Sequence, residues 1–403
     1  MNEQGKFRIL ATAYDYRPSL GGVATCAFKT MEALSRIPEL ELRCLARALP
    51  RGSEFDCHGS FETHRVSLHA HAARAVPALA RALTKQVVSW RPQAILNFHW
   101  LPCAAASYLS TPIRAALHLP YFTFVHGNEI METDSTPFKR LRHRLSPVKR
   151  SIFQNAAGVF AVSHCTAALA ELECGVPREK IEVVFNGVDC DAFYPEPPHG
   201  GLVEKYGLRG QRVLMTVCRL EDYKGVDQVI AALPMVVKKF PNTIYLVCGE
   251  GPDRNRLEAL SQQHGVRKNV VFTGAIPFGG LRDYYNLAEC FIMPSRVDLN
   301  TPNVEGFGIV FLEAAACGKP VIAGNTGGIP DAVENGRNGW LVNPTDNGAI
   351  AGAILECFSD PGKASAYGQF GRERAAKSFT WDHTARKIWT RINENVRHRG
   401  HRA

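Results

Sequence analysis

The chain has no run of about 18 uncharged apolar residues, so its sequence predicts no membrane-spanning helix. Its beginning, MNEQGKFRIL, passes into a strand-like run without the apolar region of a signal peptide. These two absences predict a cytoplasmic protein. The 12 cysteines include no C-x-x-C pair, and neither they nor the 14 histidines form a cluster at metal-ligand spacing. That argues against a zinc module and a disulfide scaffold. Cysteines such as Cys218 and Cys248, set inside apolar runs, read instead as buried thiols of a reducing compartment. No G-x-G-x-x-G follows the first apolar strand, which argues against a dinucleotide-dependent oxidoreductase. Low-complexity tracts and short internal repeats are missing as well.

What the chain does have is length and apolar content: 403 residues, 45% of them hydrophobic, enough for two domains with separate cores. A formal net charge of +9 permits an anionic partner without choosing one. Local clustering says more. The stretch FKRLRHRLSPVKR carries Lys139, Arg140, Arg142, Arg144, Lys149 and Arg150 beside Phe138, Leu141, Leu145 and Val148 at helical spacing. Ser146-Pro147 reads there as a cap and first turn that divides the stretch into two helices. Two readings stay open: an ordinary solvated face, or an amphipathic basic surface for an anionic membrane or lipid-linked acceptor.

Two halves each open with a strand, a turn and a helix. The first has FRILATAYDY, SLGG and a helix from Val23 to Arg36; the second has QRVLMTVCRL, EDYKG and a helix from Val226 to Phe240. Apolar runs then alternate with helix-length segments: AILNF, YFTFVH, GVFAVS and IEVVF, followed by TIYLVCG, VVFTG, CFIMPS and PVIAG. Short, nearly uninterrupted apolar strands between helices imply parallel sheets covered on both faces, hence an α/β fold of two doubly wound Rossmann-like domains. Pro and Gly accumulate in NGVDCDAFYPEPPHGG, which places a linker near residues 190–205 between domains over 1–195 and 206–381. In such sheets ligands bind beyond the carboxyl ends of the strands, so the site is expected in a cleft between the two domains. Gly21-Gly22, His126, Arg219 to Lys224, Gly249-Glu250-Gly251 and Glu305 all follow strand-like runs.

The densest signal is PSRVDLNTPNVEGFGIVFLEAAACGKPVIAGNTGG. Glu305 closes a polar loop, Gly306-Phe307-Gly308 follows, and a helix is expected from Gly308 to Cys317. Glycines at a helix start let backbone amides approach an anion, and the helix dipole favours negative charge there; a diphosphate fits. Glu313 stands eight residues after Glu305, about two turns on, and a carboxylate on an Ala-rich helix wants a hydroxyl or cation partner. In CRLEDYKG, Arg219 leaves a strand and Lys224 lies in the turn before a helix, a pair able to neutralise a leaving diphosphate. Asp189-Cys190-Asp191 is formally a D-x-D, but it overlaps NGVD and is not read as a metal site.

Together these motifs resemble the family-4 retaining glycosyltransferases of the GT-B fold, over almost the whole chain. The resemblance implies a Gly-Gly loop at Gly21-Gly22 against donor phosphate and acceptor, and a histidine, His126 in FVHGNE, near the sugar's C6 hydroxyl. NGVD, at Asn186 to Asp189, resembles the motif before the interdomain linker. It implies Arg219 and Lys224 at the diphosphate and the GEGP turn of Gly249 and Gly251 beside the nucleotide. Ala275 and Ile276 would meet the base through backbone, and the amides of Gly306, Phe307, Gly308 and Ile309 the phosphates. E-x7-E would set Glu305 at the sugar hydroxyls and Glu313 at the ribose. WDHTARKIWTRI resembles a final helix, expected over 382–397, that returns to the first domain.

What the resemblance implies chemically is hexosyl transfer from a nucleotide diphosphate sugar with retention, without cofactor or metal, the departing phosphate taking the acceptor's proton. VEGFGIVFLEAAACGKPVIAG is especially similar to mannosyltransferases of this family that use GDP-mannose and lipid-linked acceptors in polysaccharide or glycolipid synthesis. UDP-hexose and UDP-N-acetylhexosamine donors remain open. So do a sugar-nucleotide epimerase and a non-catalytic sugar-nucleotide-binding protein, since the fold hosts several functions. A cytoplasmic place, with or without peripheral attachment to the inner face of the membrane, completes the expectation.

Overall fold

A computed structural model describes residues 5–56, 60–127, 147–297 and 303–400. They form two compact units, one that ends at Asn186 and resumes at Trp381, and one that runs from Gly187 to Thr380.

The first unit holds a seven-stranded sheet of β1 (Phe7–Ala13), β2 (Leu40–Arg47), β3 (Glu62–Val66), β4 (Ala94–Asn97), β5 (Tyr121–Val125), β6 (Gly158–Ala161) and β7 (Ile181–Val183). Its order is β3-β2-β1-β4-β5-β6-β7, and every pairing is parallel. The central strands are buried on both faces, which is why AILN and YFTFV are uninterrupted apolar runs. On one face Leu10, Leu45, Ile95 and Val159 pack with Leu79, Leu83, Val87 and Trp90 of the Ala72–Trp90 helix. The helix Trp381–Gly400 packs on this unit: Trp389 meets Phe7 edge-on at 4.9 Å, and the Thr384 hydroxyl donates to the Phe185 carbonyl at 2.8 Å.

The second unit has six parallel strands, β8 (Arg212–Val217), β9 (Thr243–Cys248), β10 (Val270–Gly274), β11 (Cys290–Met293), β12 (Val321–Gly324) and β13 (Gly339–Val342), in the order β10-β9-β8-β11-β12-β13. Leu214, Val247, Ile292 and Ile322 bury against Val229, Leu233 and Val236 of the Val226–Lys239 helix and Ile354 and Phe358 of the Asn347–Ser359 helix. The Pro/Gly-rich stretch is packed on this unit: Phe193 sits edge-on to Tyr285 at 5.9 Å, and Asn286 binds the Tyr194 carbonyl at 3.0 Å and the Glu196 amide at 3.1 Å.

Each sheet therefore reverses its strand order once, between β1 and β4 and between β8 and β11. Adjacent connections leave a crevice at such a point, beyond the carboxyl ends of the strands, and it is there that ligands bind in open α/β sheets.

Candidate active site

At the reversal in the second unit, β8 leads through Cys218 and Arg219 into the turn Asp222–Lys224 and then the Val226–Lys239 helix. Lys224 is 14% exposed, and its ammonium donates to Glu305 Oε2 at 2.7 Å. Burial alone would lower its pKa, but the Glu305 carboxylate and the Tyr223 hydroxyl outweigh that and hold it above its ordinary value. The turn is braced from behind. Arg296, just past β11, donates its amide to the Tyr223 carbonyl at 2.8 Å and its guanidinium to Asp227 at 2.8 and 3.0 Å and to Asp222 at 2.7 Å. Arg219 is different: its side chain is 72% exposed and pairs with Glu221 at 3.1 Å. The two cations thus share one strand end, with Lys224 fixed and Arg219 on the open side.

Glu305 precedes the Ile309–Ala316 helix rather than lying on it, so the eight-residue spacing does not stack Glu305 and Glu313 on one helical face. Gly308 caps this helix with φ of +89°, where a Cβ would lie 2.4 Å from the Phe311 ring, so only glycine fits. No side chain caps the helix and its first turn has no acidic residue, which leaves the positive end of the dipole to an anion. Gly306 and Phe307 are buried, and the Phe307 ring lies 6.0 Å from that of Phe379, so the ring serves the core. Glu313 is 5% exposed and accepts from the Tyr285 hydroxyl at 2.8 Å. Burial pushes its carboxyl up to about 7, with the Tyr285 hydrogen bond pulling the other way. The hydroxyl partner that its place on the helix called for is therefore, in this structure, the protein's own.

The Gly249-Glu250-Gly251 turn crosses close over the end of β8. A Cβ on Gly249 would lie 1.8 Å from the Cys218 carbonyl oxygen. The Gly249 amide donates to the Gly274 carbonyl at 2.9 Å, which brings this turn beside Ala275, exposed, and Ile276, half-buried, at the end of β10. Arg219, Lys224, Glu305, Gly306 to Ile309, Gly249 and Gly251 thus all lie beyond the carboxyl ends of β8, β9 and β11, with Lys224 and Glu305 in contact.

Gly21, Gly22 and His126 belong to the first unit. Gly21, with φ of +135°, caps the Gly22–Ser35 helix, again with no capping side chain and no acidic first turn, and both glycines are exposed. His126 follows β5; its Nε2 lies 2.9 Å from the Phe98 carbonyl and its ring stacks on Phe124 at 5.7 Å. The sequence reading missed Asp15 and His99, at the ends of β1 and β4. Asp15 Oδ2 lies 3.4 Å from His99 Nε2, and the His99 ring is 6.2 Å from that of His126. The His99 imidazole beside it holds Asp15 below the usual carboxylate range, against the effect of its burial. Only the strand order, which sets β4 beside β1, marks these two residues; their local sequence does not.

Of the basic stretch, Lys139, Arg140, Arg142 and Arg144 lie outside the described residues. Residues 147–154 are helical, and here one expectation is corrected: Lys149 is 3% exposed and presents no charge to a surface, because it lies on the buried side of the helix. Arg150 is exposed and donates to the Glu173 carbonyl at 3.1 Å. Asp189 uses Oδ1 to accept the amides of Asp191 and Ala192, both at 3.2 Å, closing a turn. Among the described residues no group of three His, Cys, Asp or Glu could hold a metal ion, and no helix is long and apolar enough to cross a membrane.

Comparison with known proteins bears on both units. The model for Glycosyltransferase Family 4 matches residues 20–192, and that for Glycosyl transferases group 1 matches residues 203–374. The chain is 31% identical, over 93% of its length and 95% of the relative's, to a GDP-mannose-dependent alpha-(1-6)-phosphatidylinositol monomannoside mannosyltransferase of Mycolicibacterium smegmatis. A protein of the same description from Mycobacterium tuberculosis is 36% identical over 94% of this chain and 97% of its own. Among solved structures, Anabaena HepE in complex with UDP superimposes with a TM-score of 0.77 at 19% identity, covering 96% of this chain and all of that one.

Proposed function

The chain belongs to the family-4 glycosyltransferases of the GT-B fold, and on that premise we propose that it moves a mannosyl group from GDP-mannose to a lipid-linked or glycan acceptor, with retention at the anomeric carbon. The observation that carries the reading is the meeting of Lys224, Glu305 and an uncapped helix start at the β8/β11 reversal. The mannosyl donor rests on the two mycobacterial relatives, which span nearly the whole chain.

In the proposed reaction the second unit binds the donor. Lys224, Arg219 and the amides from Gly306 to Ile309 neutralise the diphosphate as the bond from the anomeric carbon to phosphate oxygen breaks, the moment at which fixed positive charge is most effective. Glu305 accepts hydrogen bonds from sugar hydroxyls and Glu313 from the ribose. Gly249, Gly251, Ala275 and Ile276 border the nucleotide. The acceptor hydroxyl attacks from the face the phosphate leaves, and its proton passes to the departing phosphate oxygen, so one C–O bond breaks, one forms and no protein nucleophile is consumed. In the first unit Gly21, Gly22 and His126 serve the acceptor. Positive charge comes from side chains and amides, so this reaction calls for no divalent cation. A lipid-linked acceptor implies peripheral attachment to the inner face of the membrane, with Arg150 on the attaching surface; co-sedimentation with anionic vesicles tests that.

Thermal unfolding with GDP, UDP, ADP and NAD in separate samples tests the donor. A ligand at about 100 times its Kd adds roughly 2.7 kcal/mol to the native state. A rise in Tm with GDP alone supports the reading; a rise with UDP alone assigns a UDP-sugar donor instead, and no rise with any nucleotide removes the donor site.

A further inference from the structure

Lys224 and Glu305 neutralise one another at 2.7 Å, and neither end of the pair is loosely held. The Lys224 turn is fixed by the Arg296 amide and by the Asp222–Arg296–Asp227 ion pairs. Arg256 adds to this network, with Asp222 at 2.8 Å and Asp253 at 2.7 Å. Behind Glu305, its backbone carbonyl accepts the Gly328 amide at 2.9 Å, and Gly327 is packed so closely that a Cβ there would lie 2.5 Å from the same oxygen. Separating the pair thus falls to side-chain rotation alone. An anion that uses Lys224 comes within about 4–6 Å of an ionised carboxylate, a range at which like charges repel appreciably in a partly buried site.

The two states of the donor differ at this point. An intact nucleotide sugar carries hydroxyls that can replace the Lys224 ammonium as donors to Glu305, so the carboxylate stays satisfied while the ammonium turns to the diphosphate. A spent nucleotide diphosphate brings negative charge and no hydroxyl to Glu305. We propose, resting on the donor-site reading above, that Glu305 is the residue that discriminates intact donor from spent nucleotide. With sugar present it is neutralised by hydroxyls; once the sugar has left it repels the diphosphate, recaptures Lys224 and hastens product release.

The experiment is calorimetric titration of wild type, Glu305→Gln and Lys224→Ala with GDP, UDP and GDP-mannose, with GDP dissociation rates from stopped flow. Glutamine keeps the shape and a hydroxyl acceptor but removes the charge. Glu305→Gln is expected to bind GDP about tenfold more tightly than wild type, about 1.4 kcal/mol, with slower dissociation and no gain for GDP-mannose. Glu305→Ala, which removes the charge by a different route, should shift GDP affinity in the same direction and covers the case in which the glutamine variant folds poorly. Unchanged or weaker GDP binding in both variants overturns the proposal. If wild type binds GDP and Lys224→Ala does not, that result leaves the donor-site reading standing by itself. If neither GDP nor UDP binds in a Lys224-dependent way, both ideas fall together.

Discussion

Replacing Glu313 with glutamine should change how stability depends on pH, and the structure fixes the direction. In the folded chain the carboxyl is 5% exposed and pushed up to about 7, against an ordinary value near 4.5. Between those two values the native state holds a proton that the unfolded chain has released. Glu313 therefore contributes stability that is complete below about pH 4.5 and is lost as pH rises through 7. The interval corresponds to about 3 kcal/mol, an upper figure because a buried site relaxes when charged. Glutamine keeps a carbonyl for the Tyr285 hydroxyl and has no proton to lose, so Glu313→Gln should gain on wild type from pH 5 to about pH 7 and level off above it. For a unit of this size that is about 5–10 °C in relative Tm. Calorimetry of both proteins at pH 5, 6, 7 and 8 in matched ionic strength reads it directly. Parallel Tm–pH curves would refute the reasoning, since they would mean that Glu313 titrates alike in the folded and unfolded chain.

The same carboxyl gives a second measurement, for ribose hydroxyls donating to Glu313 favour its ionised form; GDP binding at pH 7 should release about half a proton, seen as a buffer-dependent binding enthalpy and absent in Glu313→Gln. Arg219→Ala should lower kcat by about 10²–10³-fold with Tm unchanged within about 1 °C, because the side chain is exposed and its single ion pair is weak. Arg296→Ala should raise KM for the donor and lower Tm by several degrees, since it removes the bidentate pair to Asp227 and leaves only Arg256 beside Asp222 and Asp227, whereas Arg219→Ala should leave the fold intact. Chelation with EDTA should leave transfer from GDP-mannose within about twofold of the untreated rate, as expected where side chains and amides carry the diphosphate.

The central strands were legible in the sequence because burial on both faces makes them continuous apolar runs. Strands β2, β3 and β13 were not, and each has a physical reason. β2 and β3 carry charges that pair across the sheet, Arg8 with Glu41 at 3.0 Å and Arg43 with Glu62, so Leu40–Arg47 and Glu62–Val66 read as polar. β13 is the edge strand GWLV, set directly between the turn-forming runs NGRN and NPTD, so it reads as part of a loop. At the site, residue types and their places after strands were readable, since Arg219, Lys224 and Gly249 all follow apolar runs. Pairing was not. Nothing local couples Lys224 to Glu305 across 81 positions, or shows that Tyr285, rather than its neighbour Tyr284 in LRDYYNL, holds Glu313. Asp15 and His99 became visible only once β4 was found beside β1.

The most direct measurement is the product itself: purified enzyme incubated with GDP-mannose labelled with ¹³C at the anomeric carbon and a lipid-linked or glycan acceptor, with the new glycosidic signal read by NMR. The account predicts an α-linked mannosyl product, retained in configuration from the α-linked donor, formed by wild type and lost in Lys224→Ala. A β-linked product, or equal yield from Lys224→Ala, would contradict it.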